Sequence, residues 1–119
     1  MMKFGITSKS MELLITALKR QTAIEGAAIF GSRSIGNYKN GSDIDIALYG
    51  EQITEQIVRD FYTELNERLP LPYFFDVVHY DRLEHDGLKE HIDRFGTQFY
   101  ARAQVSLPDE VSSGRGAER

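Results

Sequence analysis

The chain contains no cysteine, so disulfides and thiolate metal sites are excluded. Any metal must rest on oxygen or imidazole ligands, which favours Mg²⁺ or Mn²⁺ held by aspartate. A run of eighteen apolar residues is also missing, so no membrane span is expected. Met1-Met2-Lys3-Phe4-Gly5 lacks the long apolar region of a secretory signal, and a cytoplasmic protein is expected. There is no dense basic run, and the net charge is −4. Long nucleic acid is therefore not an expected partner, since tracking phosphates needs clustered Lys and Arg. A small anion that brings its own metal remains compatible with an acidic protein.

What is present suits one soluble domain: 119 residues, 41% hydrophobic and 27% charged. The domain is expected over residues 1–107. Residues 108–119 are polar and Gly/Ser-rich without an apolar stripe, and read as a disordered tail. Met11, Leu14, Ile15 and Leu18 recur at helical spacing, which predicts a helix over 8–21, capped by Thr7 or Ser8. Ala27 to Phe30 reads as a buried strand, and the Gly-, Ser- and Asn-rich 31–41 segment as a loop with at most one helical turn. From Asp43 the chain alternates, with Asp43 and Asp45 on one side and Ile44, Ile46 and Leu48 on the other, as in a half-buried strand. A second amphipathic helix is predicted over 52–68, ended by Pro70 and Pro72. A third strand follows over 73–79, then a helix reaching Arg94 with Asp81 and Glu84 as its capping pair, then a short edge strand at Phe99-Tyr100. This order predicts an α/β fold: a small parallel or mixed β-sheet flanked by helices.

The chemistry concentrates between Gly31 and Asp45. Gly31-Ser32-Arg33-Ser34-Ile35-Gly36 is a small-residue turn able to offer backbone N–H groups, and Ser42-Asp43-Ile44-Asp45 follows. Carboxylates two apart on a strand share a face, with Cα atoms roughly 6.5 Å apart, and can hold a divalent cation against phosphates. The turn is neither Gly-x-x-x-x-Gly-Lys-Ser/Thr nor Gly-x-Gly-x-x-Gly, so a P-loop and a Rossmann dinucleotide site are rejected. Ile46, Ala47 and Leu48 stand where an EF-hand needs more oxygen ligands. Asp76 interrupts the apolar run Tyr73-Phe74-Phe75-Asp76-Val77-Val78. Buried alone it would be costly, so a metal shared with Asp43 and Asp45 is one compensation. An Asp turned to water at a sheet edge, or paired with Arg33 or Arg82, is the competing reading.

Gly-Ser, a loop of nine residues, Ser42-Asp43-Ile44-Asp45 and an isolated acid on a later strand together resemble the nucleotidyltransferase superfamily with a DNA polymerase β-like, palm-type fold. In size the chain resembles the minimal nucleotidyltransferases, often the antitoxin half of HEPN–MNT pairs. The resemblance covers roughly residues 8–101. It implies that Gly31 and Ser32 approach the phosphates of ATP or another nucleoside triphosphate. It further implies that Asp43, Asp45 and Asp76 are catalytic and hold Mg²⁺ or Mn²⁺, with Asp76 near the attacking hydroxyl. Arg33 is assigned to phosphate or to a nearby acid, and Ser42 to a local hydrogen bond at the start of the strand. Ser34-Ile35 departs from the family, which often has Ala and a basic residue there. The resemblance implies that the lost charge weakens phosphate binding by ~1 kcal/mol or more.

The activity so implied is transfer of a nucleoside monophosphate, AMP from ATP, to a hydroxyl on a HEPN-type toxin partner. A non-catalytic antitoxin and a nucleotide-binding module are the alternatives. An apolar patch on the first or last helix would serve a homodimer or toxin docking, or else belong to the core. His79 is read as structural. His85 and His91 lie six apart, which is not a metal-ligating spacing on one helix face.

Overall fold

The computed structural model describes residues 2–39 and 41–102. The expected tail at 108–119 lies outside the described residues. Two short strands, β1 (Met2–Lys3) and β2 (Ile6–Thr7), form an antiparallel hairpin. Phe4 and Gly5 turn it with φ of 58° and 73°, the left-handed pair that a tight hairpin requires. Too short for a periodic signal, this hairpin was not expected from the sequence.

Helix α1 (Ser8–Arg20) is capped by Thr7, which accepts from the Ser10 amide at 3.2 Å. Lys19 and Arg20 occupy its last turn, favourable to the dipole. Strand β3 (Gly26–Phe30) is buried throughout. The 31–41 segment makes one helical turn, α2 (Ser32–Ile35), before β4 (Ile44–Tyr49).

The second amphipathic helix begins later than expected, because Ile53 is buried at the end of a turn and Thr54 caps α3 (Glu55–Thr63) through the Ile57 amide. Over Glu64–Arg68 it widens into a π-helix. Strand β5 (Phe75–His79) follows. The expected Asp81–Glu84 capping pair does not form. Tyr80–Arg82 is a 3₁₀ turn, and α4 (Asp86–Phe95) starts five residues after Asp81, capped by the His85 ring, which accepts from Leu88 N at 3.0 Å. Asp81 instead accepts from Gly50 N at 3.2 Å, beside His79, whose Nε2 stands 2.8 Å from Gly50 O. Strand β6 (Thr97–Ala101) is the expected edge strand, extended at both ends.

The sheet order is β5-β4-β3-β6, with β4–β5 parallel and the other pairs antiparallel. The parallel pair is crossed by α3, which explains its direction. Ile29, Ile44, Ile46, Leu48 and Phe75 meet Leu14, Leu18, Phe61 and Leu65 in the main core. The other face is thinner: Phe30, Ala47 and Ile92 form a small core beneath α4. A thin cover leaves room at the end of the sheet for polar side chains.

Candidate active site

Alternation along β4 sends Ile44, Ile46 and Leu48 into the main core and therefore turns Asp45 to the opposite, thinly covered face. In the parallel ladder Asp45 is the register partner of Asp76, as Ile44 is of Phe75 and Ile46 of Val77. Register partners in a parallel pair project to the same side. Asp43, two residues before Asp45, precedes the same strand. All three acids thus converge on one end of one face.

Asp76 is exposed on an edge strand, so the burial cost expected for it does not arise. Its Oδ1 accepts from the Val77 amide at 3.1 Å, and among the described residues it pairs with neither Arg33 nor Arg82. The burdened acid is Asp45. Partial burial pushes its carboxyl up from the ordinary range, and Asp76 and Asp43 push it further.

Such crowding of like charge is what a hard cation relieves, and three carboxylates suit Mg²⁺ or Mn²⁺. Among the described residues, however, no three His, Asp or Glu side chains stand close enough together to enclose a metal ion. The convergence is one of backbone position and charge, while the oxygen atoms stay apart, as uncompensated carboxylates do. In residue type, face and electrostatics the set fits a divalent cation.

Gly31 closes the site from β3. Its φ of 74° and ψ of −154° lie where only glycine is comfortable, and a Cβ here would collide with Asp45 Oδ2. The turn and the start of β4 therefore touch, backbone against carboxylate. Ser32 opens α2 directly after this corner. Ser42 makes the local bond expected of it, its hydroxyl accepting from Lys39 N at 3.0 Å.

Arg33 has a structural task. It is 4% exposed and lies over the rings of Tyr38 at 4.8 Å and Tyr73 at 5.7 Å. Its Nε and Nη2 donate to Ser42 O at 3.2 and 2.8 Å, and Nη1 donates to Phe4 O at 2.9 Å. The guanidinium thus ties the N-terminal hairpin to the loop before Asp43, rather than reaching towards phosphate or an acid. Ile35, where the resemblance led us to expect a basic residue, is 49% exposed and supplies no charge.

Two residues at the site escaped the sequence reading. His91 on α4 accepts from the Gly31 amide at 3.1 Å. Spacing along one helix cannot reveal a partner 60 residues away. Asn66, in the π-helical turn, donates to Phe75 O at 2.9 Å and accepts from Phe75 N at 2.8 Å. It thereby occupies the open edge of β5 one residue before Asp76. A polar residue between Leu65 and Glu67 carries no sequence signal for that role.

A family model, "Polymerase beta, Nucleotidyltransferase", matches residues 12–105. No curated protein sequence matches the chain significantly. Among solved structures, a toxin–antitoxin crystal structure with AMP-PNP is similar at 24% identity and a TM-score of 0.61, covering 79% of this chain and 76% of that one. The toxin–antitoxin MntA-HepT is similar at 18% identity and a TM-score of 0.61, covering 83% and 76%. At these identities the structural likeness establishes the fold, and the family model, which spans the Gly-Ser turn, the Asp-x-Asp strand and the third acid, establishes kinship. The chain belongs to the polymerase β nucleotidyltransferase family.

Proposed function

We propose that this protein transfers a nucleoside monophosphate, AMP from ATP, to a hydroxyl of a HEPN-type toxin partner, and acts as that toxin's antitoxin. The observation carrying this reading is the parallel register of Asp45 and Asp76, with Asp43 just before the strand of Asp45 and Gly31 against Asp45. The family supplies the reaction class. The toxin–antitoxin neighbours, one of them with an ATP analogue, suggest partner and nucleotide.

In this reading Asp43, Asp45 and Asp76 would hold Mg²⁺ or Mn²⁺, which would supply neutralisation of the charge that develops during phosphoryl transfer. Gly31 and Ser32 set the phosphates beside Asp45. The acceptor hydroxyl approaches from the exposed side, where Asp76 orients it and takes its proton. The new oxygen–phosphorus bond forms at the α-phosphorus as the bond to the β-phosphate oxygen breaks, and pyrophosphate leaves with that electron pair.

The test is incubation with Mg²⁺, each labelled NTP in turn and the neighbouring operon product, followed by intact mass measurement. A gain of one or more nucleotides on that product is expected. The exposed Ile35 favours a second reading, nucleotide binding without turnover. Bound nucleotide with no mass gain on any acceptor would select it. Neutralisation of the partner that survives Asp43→Ala with Asp45→Ala would select occlusion over transfer.

A further inference from the structure

Helix α4 grips the Gly-Ser turn at two points. The Gly31 amide donates to His91 Nε2 at 3.1 Å, and the Ser34 hydroxyl donates to Phe95 O. The His91 ring is itself held, standing edge-on to Phe30 with centroids 6.1 Å apart and tilted against Phe95 at 5.3 Å. Its place on α4 is set by Ile92, buried in the small core with Phe30 and Ala47.

Gly31 is therefore constrained from two sides. On its Cα face lies the Asp45 carboxylate, and along its N–H lies an imidazole acceptor. We propose that His91 is a positioning residue: by accepting the Gly31 amide it sets how the phosphate-holding turn sits relative to Asp45. This inference rests on the transferase reading above for its functional consequence, but not for the bond itself.

The chemistry asks for an acceptor at this point and nothing more. An imidazole accepting at Nε2 carries its proton on Nδ1. A phenylalanine keeps the ring contacts with Phe30 and Phe95 while removing the acceptor. A glutamine places an amide oxygen at a reach comparable to Nε2 and restores it. Gly31 has no side chain to guide it, and its backbone angles lie in sparsely populated territory. Without the acceptor the corner is free to rotate its peptide plane.

The experiment joins one spectroscopic and one binding measurement. In isotope-labelled wild-type protein, a nitrogen–nitrogen coupling across the hydrogen bond between Gly31 N and His91 Nε2 is expected, with no mutation required. In His91→Phe the Gly31 amide resonance should move, and affinity for AMP-PNP with Mg²⁺ should fall about tenfold, the loss expected for one partly buried hydrogen bond. His91→Gln should recover both the resonance and most of the affinity. Absence of the coupling in the wild type overturns the proposal, as does a folded His91→Phe with unchanged affinity or a His91→Gln no better than His91→Phe. Wild-type protein that binds no nucleotide overturns the transferase reading instead, while the coupling still decides the bond.

Discussion

Asp45 and Asp76 face each other as register partners on neighbouring parallel strands, and the two carboxylates crowd like charge at one end of the sheet. The carboxyl of Asp45 is raised by desolvation, then by Asp76 and Asp43. A raised carboxyl favours folding below its unfolded pKa, and that contribution is lost as pH rises through the folded value. At neutral pH the charged Asp45 thus weighs against the fold. Asp45→Asn should stabilise the metal-free protein there by up to about 1 kcal/mol, the group being too exposed for more. The same change should abolish transfer. Thermal melts at pH 7 against the mass assay check both outcomes. In the wild type, added Mg²⁺ should raise the melting temperature at pH 7, and this gain should vanish as pH falls and protons displace the cation.

Gly31 and Gly36 offer a matched comparison at the two ends of α2. Both have positive φ, 74° and 87°, so both resist a side chain. A Cβ on Gly36 meets nothing within 4 Å, whereas one on Gly31 collides with Asp45. Gly36→Ala should cost about 1–2 kcal/mol for the left-handed backbone alone. Gly31→Ala should cost about 3 kcal/mol or more and displace Asp45. Urea denaturation separates the two, and only Gly31→Ala should lose Mg²⁺-dependent stabilisation.

Much of this arrangement was legible in the residues. Alternation from Asp43 to Leu48 placed both acids opposite the core side of their strand, and Gly31-Ser32 marked the turn. Helical spacing located α1 and the hydrophobic stripe of α3. What could not be read depended on contacts between distant segments. The hairpin is too short to be periodic, and it is held by Arg33 bonding to Phe4 O and by Tyr73 Oη accepting from Thr7 N at 3.2 Å. The same bonds explain why Arg33, a basic residue next to the Gly31-Ser32 turn, is turned inward. Asp81 and Glu84 had capping spacing, but Asp81 serves the buried turn at Gly50 and the cap passed to His85.

Asn66 predicts an effect on both stability and chemistry. Its side-chain amide makes two bonds to the backbone of Phe75, supplying the partner that an edge strand lacks. Asn66→Ala leaves a buried residue's N–H and C=O to find water, at about 1–3 kcal/mol. The residue after Phe75 is Asp76, so transfer should fall further than the loss of folded protein explains. Activity measured well below the melting temperature distinguishes the two contributions.

Arg33 should behave as a structural residue under mutation. It is buried, makes three hydrogen bonds to carbonyl groups and stacks on two rings. Arg33→Lys keeps the charge but loses the planar fork that reaches Ser42 O and Phe4 O together. A loss of about 2–4 kcal/mol in urea denaturation is expected. If Arg33 held phosphate, its loss would instead show as weakened nucleotide binding at unchanged stability.

Ile35 provides the opposite case, a position where adding charge should improve function. It is exposed beside the turn, on the helical residue that ends α2, and nothing in the core depends on its side chain. In the proposed reading, its uncharged side chain leaves the triphosphate without a cation at this point of the turn. Ile35→Lys should therefore raise AMP-PNP affinity about three- to tenfold, equivalent to roughly 0.7–1.4 kcal/mol. The gain should shrink as salt rises from 50 to 300 mM, as expected for a partly exposed ion pair. Isothermal titration at the two salt concentrations checks this, with Ile35→Gln as the uncharged control of similar length. Equal affinity for the lysine and glutamine variants would place the phosphates away from this turn.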